Sequence, residues 1–234
     1  STVPVDDRPM DKLAVEHFIV NRPYGCMIDR GSKVTIVSPS SLVDPVIGAY
    51  TYYFAKLGGF NYISREVGEL RPYKSFYNCS QDVPGLEEYM SDIQKLSAKD
   101  GSWVVTLLAA SGANEPELPS QIHLTYGGKK GDASLDAPTV VIRDKETAKA
   151  MFEELENMLE SEYDIKTDCQ QYHDSANPNM FMRKLSNAGA VNGLIIRIAW
   201  SCMYWDSRRI KIAQSMADII KKHVAKMTPP ATLH

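Results

Sequence analysis

Residues 168 to 174, DCQQYHD, hold the densest set of reactive side chains in the chain: Asp168, Cys169, Tyr172, His173 and Asp174. On a helix Cys169 and His173 stand four residues apart and face each other, which is the geometry that activates a thiolate or supplies two ligands to a metal. Two ligands do not complete a zinc site. His17, His123 and His223 are the histidines that could add to them, and no spacing rule brings any of the three to Cys169, so neither a metal nor a cofactor is assigned. The plainer reading of the same stretch is a polar loop between helices with an incidental cysteine.

Other signatures are missing. The sequence contains no G-x-x-x-x-G-K-[ST], no G-x-G-x-x-G after a strand, no H-E-x-x-H and no G-x-S-x-G. The segment YGGKKGD, 126 to 132, comes nearest to a phosphate loop, because its glycines allow close backbone approach and Lys129 and Lys130 supply charge, but it lacks the P-loop spacing. The four cysteines are scattered with no C-x-x-C pair, which argues for buried free thiols over a disulfide scaffold. Aromatic residues concentrate at Tyr50, Tyr52, Tyr53, Phe54 and Tyr62; they suit a core and its rim better than a base-stacking platform.

Charge is the strongest pattern. The net charge of the 234 residues is −3, so no global attraction to nucleic acid or membrane operates and any such attraction is local. Residues 183 to 226 carry nine Lys or Arg against two Asp, a net +7, whereas residues 144 to 168 carry nine acids against three Lys, a net −6. The two segments can lie beside each other in one chain, meet between copies, or leave the basic face to bind phosphates. On the last reading Arg208, Arg209, Lys211, Lys221, Lys222 and Lys226, with Lys129 and Lys130 of the loop, form the nucleic-acid surface.

These residues need elements to position them. Asp or Asn before proline opens helices at Asp44-Pro45 and Asn177-Pro178, since the short side chain caps free N–H groups and proline fits the first turn. The first of these runs to about Leu57 and stops at Gly58-Gly59; looser starts predict helices over 9–20 and 84–98. Tyr24 to Ile28 and Val34 to Val37 flank a turn at 29–32 and read as a hairpin. Trp103 to Leu108 suits a buried central strand, QIHLTY (121 to 126) an alternating strand with His123 on the face opposite Ile122 and Leu124, and TVVIR (139 to 143) another strand. Asp144 caps a helix reaching Tyr163. Residues 193 to 214, GLIIRIAWSCMYWDSRRIKIAQ, are too short and too charged at Arg197 and 206–209 to span a membrane; they predict the start of a long helix, or two helices broken near Asp206, with Asp206 capping the second.

The resulting expectation is an α+β protein: a small, mostly antiparallel sheet with helices over 1–143, followed by a helical part over 144–234, the two joined or continuous. The ends, STVPVDD and MTPPATLH, read as arms. With no basic start leading into an apolar stretch, an intracellular, cytoplasmic location is expected. The functional expectation is a non-enzymatic, self-associating protein that binds single-stranded nucleic acid through its basic C-terminal helix, in a nucleocapsid-like or architectural role without membrane contact. Two alternatives stand beside it: a small-molecule enzyme using the Cys169/His173 pair, and an interaction module using the acidic helix.

Overall fold

The computed structural model describes residues 19–39, 41, 45–66, 85–110, 121–128, 134–137, 140–169, 181–188 and 192–226. Their centre is an eight-stranded mixed sheet of order β1-β2-β4-β3-β5-β8-β6-β7. The strands are β1 (Val20–Arg22), β2 (Gly25–Ile28), β3 (Val34–Ser38), β4 (Asn61–Arg65), β5 (Trp103–Ala110), β6 (Ile122–Thr125), β7 (Thr167–Asp168) and β8 (Asn192–Ala199). The described helices are α1 (Pro45–Gly58), α2 (Leu86–Leu96), α3 (Lys145–Tyr163), α4 (Phe181–Ala188) and α5 (Arg209–Lys226), with a π-helical turn at Ser201–Trp205.

The four central strands β4, β3, β5 and β8 run parallel. Helices cover both faces. On one side α1, α3 and α5 pack over the larger core, which includes Ile36, Phe54, Trp103, Leu107, Phe152, Leu155, Ile196 and Ile220. On the other, Tyr89 and Ile93 of α2 and Phe181 and Leu185 of α4 close over Val37, Ile63, Val104 and Ile195. This is a doubly wound α/β sheet, and it overturns the expected α+β arrangement with a small antiparallel sheet and a helical C-terminal part.

The physical reason lies in residues 192–199. GLIIRI is apolar nearly all round because β8 is buried on both faces between β5 and β6, and continuous burial looks the same from the sequence whether the element is a helix or a central strand. The β-branched Ile195, Ile196 and Ile198 favour the strand. Because β8 comes from the C-terminal segment and lies between two strands of the N-terminal one, the boundary at 143/144 cuts through a single sheet.

The expected hairpin at 24–37 is also replaced. Both strands form, yet β4 inserts between them, pairing antiparallel with β2 and parallel with β3. The connecting turn is filled by the Asn61 side chain, which accepts from the N–H groups of Arg30 and Ser32 and donates to the Ser32 carbonyl. Residues 139–143 make only a single described bridge, Val140 to Gly127. Other expectations hold. Trp103 begins a buried central strand, α1 stops where Gly59 takes a φ of 65°, and Asp144 caps α3 by accepting from the Thr147 N–H at 3.0 Å. The chain breaks at Asp206, whose carboxylate accepts the Arg208 N–H ahead of α5. Residues 9–18 of the helix expected over 9–20 and the Asn177-Pro178 start lie outside the described residues, and Val20, the last residue of that expected helix, opens β1 instead. Among the described residues no helix is long and apolar enough to cross a membrane.

Candidate active site

Strand register assembles a row that ends in three polar residues, level with the carboxyl ends of β5 and β8. Leu108 of β5, Arg197 of β8, His123 of β6 and Asp168 of β7 are successive register partners, so their side chains share one face. It is the face of Val104, Ile195 and Leu108, opposite the core packed by Leu107, Ile196, Ile122 and Leu124. Arg65, the last residue of β4, extends from the same face as Ile63. One row further in lie Thr106 and Thr125, both register partners of Ile195.

These polar groups are deeply enclosed: His123 is 0% exposed, Thr125 1%, Arg197 3% and Arg65 5%. Buried ionisable groups persist where they are hydrogen-bonded or paired. His123 Nδ1 lies 3.0 Å from Asp168 Oδ1, and the Asp168 side chain reaches the surface at 24% exposure. An Nδ1–H that donates to the carboxylate fixes the tautomer and directs proton exchange to Nε2. Arg197, directly across the β6–β8 ladder from His123, brings a permanent positive charge to the same corner.

The strand order reverses between β3 and β5, and Arg197, His123 and Asp168 stand one, two and three strands beyond β5. From β3 the chain crosses by α1 to β4 on one side, and by α2 it returns to β5 on the other. In open α/β sheets, ligands bind outside the carboxyl ends of the strands near such a reversal. A second polar group stands at the same edge on the opposite face: Ser41 Oγ lies 2.6 Å from both Ser38 Oγ and Ser64 Oγ.

Of the residues singled out from sequence, Asp168 and His123 fall in this row and Cys169 falls elsewhere. Cys169 follows Asp168 but turns to the larger core and borders a cleft of about 520 Å³ lined also by Tyr126, Lys149, Phe152 and Glu156. Its thiol donates to Glu156 at 2.7 Å, and burial together with that carboxylate pushes its pKa well up. Such a thiol stays protonated, the reverse of an activated thiolate. His173 lies outside the described residues, as do Lys129 and Lys130. Peptide-resolved alkylation with iodoacetamide at pH 7.5 should therefore show Cys169 reacting at least tenfold more slowly than free cysteine; a free-cysteine rate would contradict the enclosed thiol.

The acidic and basic segments pack on each other within the chain, along α3 and α5. Lys222 and His223 both bond Glu154, the Tyr163 hydroxyl lies 2.8 Å from Ser215 Oγ, and Arg208 chelates Asp206, donates to the Tyr163 carbonyl and sits over the Tyr163 ring. Arg209, Lys211, Lys221 and Lys226 remain on the exposed side of α5. Lys222 and His223 hold the Glu154 carboxyl below its ordinary 4.5. A carboxyl with a depressed folded-state pKa contributes stability above its ordinary value and loses it as pH falls through the folded value. Glu154→Gln should thus lower stability by about 0.5 kcal/mol at pH 6, the range of half-exposed ion pairs, and by less at pH 2.5. Urea midpoints of the two proteins at both pH values check this.

No family model and no curated protein matches the chain. Solved structures do. A metallo-carboxypeptidase from Burkholderia cenocepacia superposes with a TM-score of 0.57 at 11% identity, over 91% of this chain and 66% of that one. A metallo-carboxypeptidase from Pseudomonas aeruginosa superposes with a TM-score of 0.50 at 11% identity, over 93% and 67%. A gene product of Agrobacterium tumefaciens gives 0.51 at 9% identity, over 88% and 94%. The chain thus spans just under two thirds of the first of these structures. At such identities the likeness shows the fold alone, an α/β architecture.

This fold corrects the functional expectation. A nucleocapsid-like, nucleic-acid-binding or self-associating architectural role finds no support in it, and Arg208 and Lys222, central to the expected basic surface, bond to acceptors within the chain. Among the described residues the donor set of a metal centre is not met either. Among the described residues no three His, Cys, Asp or Glu side chains come together, and the two described histidines, on β6 and α5, each face a carboxylate of their own. The architecture that this chain shares with solved enzymes is a doubly wound α/β sheet whose carboxyl edge carries the row of Arg197, His123 and Asp168.

Proposed function

We propose that this protein is a small-molecule hydrolase in which His123, oriented by Asp168, moves protons and Arg197 attracts an anionic group of the substrate. The observation that carries this reading is the 3.0 Å contact between His123 Nδ1 and Asp168, set opposite Arg197 at the carboxyl edge of the sheet. The carboxylate holds the imidazole in the tautomer whose Nε2 accepts a proton, which is what a general base requires. A guanidinium in the same row favours a carboxylate or phosphate on the substrate. Hydrolysis is the chemistry suggested by the carboxypeptidases that share the fold; no step here uses a metal.

The test is a screen of the full chain against N-acylated amino acids and carboxylate-bearing esters, with pH-stat detection of released acid. Turnover that disappears in His123→Gln supports the reading. Turnover unchanged in a folded His123→Gln protein overturns it, and so does an Arg197→Lys protein with an unchanged KM on every anionic substrate that the wild type cleaves.

A further inference from the structure

One row inside the site, on the same face as His123, stands Thr125. The residue is 1% exposed, and among the described residues Oγ1 has no hydrogen-bond partner. A buried hydroxyl left unpaired costs about 1–3 kcal/mol, so a position that retains one is usually completed by a water or a ligand oxygen. A valine of the same shape would fill this place without that cost and would suit a β-strand equally well.

Thr125 stands two residues from His123 on the same face of β6, a separation of about 7 Å along the strand. It lies diagonal to Arg197, since Thr125 pairs with Ile195 and His123 with Arg197. An oxygen atom between a threonine hydroxyl and an imidazole at this spacing can bond to both, each bond spanning about 2.8 Å. Neither the Asp168 contact nor the strand ladder uses Thr125 Oγ1.

We infer that Thr125 is a positioning residue that holds the nucleophilic water beside His123 Nε2. The inference rests on the hydrolase reading given above. In the step it serves, one O–H of the water donates to Thr125 Oγ1 and the other to Nε2. As the water oxygen bonds to the acyl carbon, Nε2 takes that second proton. The bond from the acyl carbon to the leaving nitrogen or oxygen then breaks, and the leaving group takes the proton from Nε2. One water is consumed, and one acid and one amine or alcohol are released. With the water held in line, less orientational freedom is lost on reaching the transition state, an effect that appears in kcat.

Two experiments on the full chain test the inference. A high-resolution crystal structure should show an ordered oxygen within hydrogen-bonding distance of both Thr125 Oγ1 and His123 Nε2, and Thr125→Val should lose it; a dry Thr125 in the wild type overturns the proposal whether or not a substrate has been found. On any substrate the wild type hydrolyses, Thr125→Val should lower kcat by 10- to 100-fold with KM within a factor of two, and Thr125→Ser should return to within about threefold of the wild type. A purely structural threonine would give the valine protein full kcat and an equal or higher melting temperature. The two readings fail separately: a His123→Gln protein that keeps wild-type turnover removes the hydrolase reading, whereas an inactive His123→Gln beside a fully active Thr125→Val removes only the role of Thr125.

Discussion

Replacing His123 with Gln is expected to lower turnover by about 10²- to 10⁴-fold, the usual contribution of a positioned acid or base. Gln fills much of the imidazole volume and can still bond Asp168, so the site at 0% exposure keeps a polar partner while losing the group that exchanges protons. Asp168→Asn tests the same machinery from the other side. Its amide can present N–H to the ring, which favours the opposite tautomer and places the proton on Nε2, where the lone pair is needed. A loss of similar order is expected, with the melting temperature close to that of the wild type because Asp168 is partly open to solvent. Steady-state kinetics beside circular dichroism separate lost chemistry from lost fold. A folded Asp168→Asn protein with full activity would leave the dyad as a structural bond only.

Asp92→Ala is the substitution expected to cost most in stability, about 3 kcal/mol. Asp92 is buried on α2, where its carboxylate accepts from the Tyr24 hydroxyl at 2.6 Å and from Arg22 Nε at 2.7 Å. Alanine strands the Tyr24 hydroxyl in a place that is 0% exposed and releases Arg22 of the edge strand β1, so the helix loses its tie to that edge of the sheet. Tyr24→Phe, which removes the group needing a partner, should cost far less, and the Asp92→Ala/Tyr24→Phe double variant should be more stable than the sum of the two single changes predicts. Urea unfolding of the four proteins measures the coupling. Additive losses would mean that the hydroxyl and carboxylate do not depend on each other.

Neither site could be assembled from local pattern. His123 is visible as the odd residue of QIHLTY, and period-two alternation puts it opposite Ile122 and Leu124, which is where it lies; the alternation suggests a solvated face, yet the strand is buried on both sides. Asp168 stands out in DCQQYHD, where helical spacing points to Cys169 and His173. Its actual partner is 45 residues earlier in the chain, brought within 3.0 Å by the pairing of β6 with β7. Arg197 reads as the charge that rules out a membrane span. In the fold it is the residue across the ladder from His123.

What the sequence determined by itself is local and one-dimensional: the cap at Asp144 and the helix that follows, the helix from Pro45 to its glycine stop, the buried strand at Trp103, the break at Asp206, and the opposed charges of 144–168 and 183–226. Each follows from spacing along one element or from the chemistry of a single cap. Only the tertiary structure decided that 192–199 is a central strand, that β4 separates β2 from β3, and that Arg197, His123 and Asp168 share one row. Those outcomes depend on which strands pair, and pairing is selected by the burial of whole faces across distant segments. No residue carries that information alone.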